Sequence, residues 1–118
     1  MTPEEWVRQH FIHFLVDHKN YSKALIRVES GLRYNKVQKR TDILIYTREG
    51  APHMLVECKS YKERISQKTF DQIMVYNRSL STQYLVVTNG IEHYCCVLEE
   101  GRVLKFLEDI PNNGEKSE

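Results

Sequence analysis

Apolar positions in the first eighteen residues recur at three- and four-residue steps. Trp6, Val7, Phe11, Phe14 and Leu15 form the stripe of a core-facing helix that runs to about His18. Its start is signalled by Thr2-Pro3-Glu4-Glu5, with Thr2 as N-cap, Pro3 in the first helical position and Glu5 closing a capping box. Asn20, Tyr21 and Ser22 break the pattern. Leu25 to Tyr34 alternates as a first strand, and polar residues from Asn35 to Lys39 follow it. Two more β-like runs, Arg40 to Tyr46 and Leu55 to Lys59, flank the turn signal Arg48-Glu49-Gly50-Ala51. Ser66 then caps a second helix, with Ile65 placed to staple onto Phe70 and with Phe70, Ile73, Met74, Asn77 and Leu80 on one side. Tyr84 to Thr88 is a continuous apolar run suited to a strand buried on both faces. Asn89-Gly90 ends it in a turn, and His93 to Leu98 and Val103 to Phe106 follow as short strands about Glu100-Gly101. The order is αβββαβ with added strands, which predicts an α/β domain whose mixed central β-sheet is flanked by helices. A single domain over 1–110 and a frayed polar tail over 111–118 are expected.

The two runs around the turn carry charge where strands ordinarily carry apolar side chains. Folded as a hairpin about Glu49-Gly50, residue i faces residue 99 − i, so Asp42 lies opposite Glu57 and Arg40 opposite Lys59. The same alternation sets Leu44 against Leu55 and Tyr46 against His53. Carboxylates facing each other across a ladder repel. A cation between them reverses the penalty, so the pattern reads as a divalent-metal site. Magnesium takes few carboxylates together with water and phosphate oxygens. Asp42, Glu57 and the backbone carbonyl of Cys58 could supply part of that shell, leaving positions for a phosphate and an attacking water. Lys59, two residues beyond Glu57 and on the same face, would orient the water or stabilise the charged transition state.

Composition narrows the setting more than it names a chemistry. At 118 residues, 41% hydrophobic and 28% charged, the chain is an ordinary globular domain, which excludes wholesale disorder. A net charge of +1 hides an uneven distribution: the segment from Lys19 to Arg40 holds seven basic residues against Glu29 alone. Such a patch suits a polyanion, and a solvated basic face accounts for it equally well. No apolar run approaches a membrane span and no signal peptide is visible, so a cytoplasmic protein with no membrane partner is expected. Three cysteines, Cys95 and Cys96 adjacent, form no disulfide framework and no zinc motif; buried free thiols are expected.

The charged strands also carry a resemblance. An Asp beginning one strand and Glu-x-Lys ending the next, followed by a helix with Gln72-Ile73-Met74-Val75-Tyr76, is similar to the PD-(D/E)XK nuclease superfamily. More closely, Thr41-Asp42-Ile43-Leu44, Val56-Glu57-Cys58-Lys59, Phe70-Asp71-Gln72 and Thr88-Asn89-Gly90 resemble the N-terminal nuclease domain of type I restriction enzyme R subunits, from about Pro3 to Leu98. Thr41 stands where the superfamily name has Pro. The resemblance implies a restriction-endonuclease-like core and hydrolysis of DNA with Mg²⁺ (or Mn²⁺), Asp42, Glu57 and Lys59 forming the catalytic centre. It further implies that Gln72 and Tyr76, one helical turn apart, face that centre and steady the lysine or a phosphate. The superfamily often adds an acid from its first helix, for which Glu5 is the candidate and Glu29 its rival. Glu5 is explained equally well as part of the capping box. Arg27, Arg33, Lys36, Lys39 and Arg40 are candidate phosphate contacts that would position DNA without reading its sequence.

A type I R subunit also needs a motor, and no Gly-rich phosphate loop is present, so the chain is expected not to be a complete one. One site cuts one strand; double-strand cleavage therefore implies a homodimer or partner restriction subunits. Two other readings stand beside a DNA endonuclease. One is a weakly active or inactive nucleic-acid-binding or assembly module of a restriction system; the other is a nuclease of RNA or branched DNA, which the same fold can host.

Overall fold

A computed structural model describes residues 2–30, 41–77, 81–100 and 102–113. Helix α1 spans Pro3–His18; a short 3₁₀ turn, Lys23–Leu25, leads into β1, Ile26–Ser30. Strands β2 (Thr41–Tyr46) and β3 (Pro52–Cys58), helix α2 (Gln67–Asn77) and strands β4 (Tyr84–Thr88), β5 (His93–Glu99) and β6 (Arg102–Leu107) follow.

The capping box at the start of α1 is present in full: the Glu5 N–H donates to Thr2 Oγ1 at 3.2 Å and the Thr2 N–H to Glu5 Oε1 at 3.1 Å. Val7, Phe11 and Leu15, each four residues apart, are buried beneath the helix. Trp6, expected in the same stripe, stays 43% exposed. It sits one residue off the buried line and packs sideways on His10 and Tyr61 instead. The first strand starts at Ile26, because Ser22 caps the preceding turn by accepting the Ala24 N–H. At α2, Ser66 accepts the Thr69 N–H, and Ile65 and Phe70 share one apolar cluster, as the cap and staple predict.

All six strands form one sheet in chain order, β1 to β6. Neighbours are antiparallel except β3 and β4, which run parallel and are joined across α2. The parallel pair is buried on both faces and accordingly reads as near-continuous apolar sequence. Two cores result. One lies under α1 and gathers Val7, Phe11, Leu15, Ile43, Val56 and Val86; the other lies under α2 and gathers Leu44, Leu55, Phe70, Ile73, Leu85 and Val87. Strand alternation divides the adjacent thiols between them, Cys95 to the first core and Cys96 to the second.

The expected β2–β3 register holds from Thr41–Cys58 through Ile45–Met54 and then slips, so that Tyr46 faces Pro52 rather than His53. The turn is a residue longer than a tight hairpin. Thr47 donates its N–H to the Ala51 carbonyl, and Gly50, at φ +93°, donates its own to Thr47. Pro52, which has no N–H for the ladder, then opens β3 at its first position. The segment from Pro111 to Asn113 is tied down rather than frayed: Tyr21 Oη donates to the Pro111 carbonyl at 2.8 Å, and the Asn113 N–H donates to Lys19 at 2.9 Å. The rest of the expected tail lies outside the described residues. No helix among the described residues is long and apolar enough to cross a membrane.

Candidate active site

Asp42 is the ladder partner of Glu57. Their neighbours two residues along, Leu44 and Leu55, belong to the α2-side core, so alternation assigns the positions of Asp42 and Glu57 to the same face. Direct antiparallel partners have Cα atoms about 5 Å apart, close enough for two carboxylates to share a cation. The row extends further. Glu29 is the ladder partner of Asp42, which places three acid positions, Glu29, Asp42 and Glu57, in line across β1, β2 and β3.

Glu57 is only 2% exposed, an unusual position for a carboxylate, and Lys59 Nζ lies 3.9 Å from Glu57 Oε2. Lys59 keeps 29% of its side chain in solvent, so the ammonium spans buried acid and open surface. Its backbone N–H donates to the Thr88 carbonyl at 2.8 Å, which fixes the exit of β3 against the parallel β4. The Cys58 side chain belongs to the α1-side core, leaving only the backbone of that residue to serve the α2 face.

The loop after Lys59 is wired to the β4–β5 turn. Asn89, 4% exposed, donates from Nδ2 to the Glu63 carbonyl at 2.7 Å, while its Oδ1 accepts the Ile91 and Glu92 N–H groups at 2.9 and 2.7 Å. Thr88 Oγ1 accepts the Gly90 N–H at 3.0 Å and lies 2.7 Å from His93 Nδ1. In the sequence Asn89-Gly90 reads as a turn and Thr88-Asn89-Gly90 as one of the segments that carry the resemblance, and neither assigns Asn89 its tethering role. What could have flagged a larger role is that Asn89 directly follows a fully apolar strand, where a polar side chain is drawn inward and needs partners.

The other expected site residues are placed unevenly. Glu5 is engaged at the start of α1 by the capping box. Gln72 is exposed, on a helix whose inward side is held by Phe70 and Ile73, and its position one turn before Tyr76 is as expected. The Tyr76 side chain lies outside the described residues, as do Arg33, Lys36, Lys39 and Arg40. Arg27 is exposed, its guanidinium 6.0 Å from the centre of the Tyr46 ring. Among the described residues no group of three His, Cys, Asp or Glu side chains could hold a metal; the Asp42 and Glu29 side chains lie outside the described residues.

The thiols take no part in such a site. Burial, with Cys96 and Asp109 nearby, pushes Cys95 up to about 12, and burial pushes Cys96 up to about 11, so both stay protonated and unreactive near neutral pH. All three cysteines are free.

The domain is thus an α/β sheet protein with an acid row and a lysine at the end of a parallel strand pair. Residues 3–111 match the family described as type I restriction enzyme R protein N terminus (HSDR_N), and the chain belongs to that family. No curated protein and no solved structure matches the chain.

Proposed function

We propose that this domain is a DNA endonuclease of the PD-(D/E)XK kind, hydrolysing phosphodiester bonds with Mg²⁺ or Mn²⁺ as part of a restriction system. The observation that carries the reading is the pairing of Asp42 with a buried Glu57 that has the Lys59 ammonium 3.9 Å away. The donor set fits a hard divalent cation: Asp42 and Glu57, with Glu29 next in the row and the Cys58 carbonyl at the strand end, are all oxygen donors. When bound, such a cation lowers the pKa of a water molecule and offsets charge growing on phosphorus. Lys59 Nζ donates hydrogen bonds to a phosphate oxygen or the attacking water, holding it in line with the scissile bond. Arg27, which is exposed, contacts the DNA backbone in this reading. A second copy or a partner restriction subunit supplies the cut on the other strand.

The burial of Glu57 favours one further reading. A carboxylate that is 2% exposed and paired with a lysine can be a structural ion pair, which suits a binding or assembly module without cleavage. Nicking of supercoiled plasmid with Mg²⁺ or Mn²⁺ separates the two. The nuclease nicks, and Asp42→Ala and Lys59→Ala abolish nicking. Cleavage that persists in both variants sinks the assignment, and salt-dependent binding without cleavage hands the domain to the second reading.

A further inference from the structure

Trp6, Tyr61 and Ile91 come from three separate segments, α1, the loop after β3 and the β4–β5 turn, yet they meet around one open cleft of about 400 Å³ with Gly90 at its side. Each is conspicuously exposed for its type: 43% for Trp6, 41% for Tyr61 and 73% for Ile91. The indole is held rather than loose. His10 lies against it with ring centroids 3.9 Å apart, and Tyr61 meets it edge-on at 5.5 Å. Gly90, at φ +89°, lets the turn come close: a Cβ there would meet Val7 Cγ2 at 3.4 Å and Trp6 Cζ3 at 3.9 Å. A larger residue would narrow the cleft and strain the turn.

Its place in the fold gives the cleft a meaning. It lies at the carboxyl ends of the parallel pair β3 and β4, the usual location of ligand sites in sheets of this kind. Tyr61 is two residues beyond Lys59, so the two Cα atoms are at most about 7 Å apart. The loop from Lys59 to Arg64, which brings Tyr61 to the cleft, carries Lys59, Lys62 and Arg64 against Glu63 alone, so it is basic. Aromatic faces beside basic side chains are the means by which single-stranded nucleic acids are held: bases stack, and the backbone is neutralised.

We infer that the Trp6–Tyr61–Ile91 cleft is a stacking platform for an unpaired nucleobase of the strand whose phosphate lies at Lys59. The inference rests on the nuclease reading and adds a preference to it: the domain takes single-stranded, frayed or locally opened DNA in preference to intact duplex. A base in an intact duplex is stacked on both faces and cannot offer one to the indole, and extruding it costs energy that an already unpaired base does not require.

Trp6 is the sole tryptophan, so its fluorescence reports the platform directly. The experiment titrates the 1–118 chain, in EDTA to prevent cleavage, with an eight-nucleotide oligodeoxythymidylate and with a blunt duplex of equal length. Plasmid nicking with Mg²⁺ is measured on the same variants. The single strand is expected to quench Trp6 and the duplex to do so about ten-fold less tightly. Tyr61→Ala is expected to weaken single-strand binding about ten-fold, Tyr61→Phe to restore it, and Ile91→Asp to weaken it as Tyr61→Ala does. Tyr61 and Ile91 are surface residues, so their replacement leaves both cores intact. Equal quenching by duplex and single strand, or a Tyr61→Ala variant that binds like the wild type, overturns the platform. Nicking without any response at Trp6 removes the platform and keeps the nuclease. Quenching without nicking does the reverse. An absence of oligonucleotide binding, with self-association abolished by Ile91→Asp, assigns the surface to a second copy and overturns the inference.

Discussion

Asp42 stands directly across the β2–β3 ladder from Glu57, and the next acid in the row, Glu29, stands across from Asp42. Facing like charges destabilise a ladder by about 0.2–1 kcal/mol per pair. Without metal, Asp42→Asn is therefore expected to raise the unfolding temperature slightly. With metal the order is expected to invert: if the proposed site binds Mg²⁺, a hundred times the dissociation constant is expected to stabilise the wild type by about 2.7 kcal/mol, a gain Asp42→Asn should lose. Thermal melts over a Mg²⁺ titration decide the matter: a wild-type midpoint that does not move removes the metal from the site.

The start of α1 gives a second prediction, because it separates two roles for one residue. Thr2→Ala removes the acceptor of the Glu5 N–H and is expected to cost about 1 kcal/mol in denaturant unfolding. Glu5→Gln keeps an acceptor for the Thr2 N–H and is expected to cost little, with the Mg²⁺-induced shift in melting unchanged. If Glu5→Gln instead abolishes that shift, Glu5 is a ligand and not only a cap.

The hairpin shows why part of the site was legible and part was not. Counting outward from a recognisable turn gives the pairing of Asp42 with Glu57, and side-chain alternation then puts the two positions on one face. The bulge at Tyr46 was hidden: it follows from how Thr47, Gly50 and Ala51 bond within the turn, and many turns share that composition. In the sequence Glu29 is the one acid of a basic stretch and a rival to Glu5 for the additional acidic position. Its place beside Asp42 depends on the β1–β2 register, which spacing in the sequence does not give. Trp6 misled in the opposite direction. Periodicity assigns it to the core, whereas the buried line runs through Val7, Phe11 and Leu15 and leaves the indole beside it, against Tyr61.

Asn89 supplies a third test, since one of its three side-chain hydrogen bonds tethers the loop that follows Lys59 and the other two close the β4–β5 turn. Asn89→Ala strands two N–H groups and one carbonyl and is expected to cost about 1–3 kcal/mol. Asn89→Asp keeps the acceptor for Ile91 and Glu92 but loses the donor to Glu63, so it frees the loop while leaving the turn formed. It is expected to lose less stability than Asn89→Ala while lowering the nicking rate by a similar factor. If Asn89→Asp nicks like the wild type, the tether to Glu63 is irrelevant to the lysine.

His93 makes stability depend on pH in a direction its surroundings dictate. Although part of the imidazole reaches solvent, the ring lies against Phe11 and Phe14, and Nδ1 is 2.7 Å from Oγ1 of the fully buried Thr88. Burial lowers its pKa below the ordinary histidine value, and Asp109 opposes the shift without cancelling it. A histidine that holds its proton less tightly when folded leaves the unfolded chain with more bound protons, so stability rises with pH through the window. The contribution is complete above about pH 6.5 and is lost as the pH falls towards the lowered folded value. Protonation would also remove Nδ1 as an acceptor for the Thr88 hydroxyl. Denaturant unfolding from about pH 7.5 to about pH 5.5 should therefore show a steeper loss for the wild type than for His93→Gln. The other four histidines are common to both proteins, so the difference isolates His93. Parallel curves would mean that the Thr88–His93 contact does not discriminate between the protonation states.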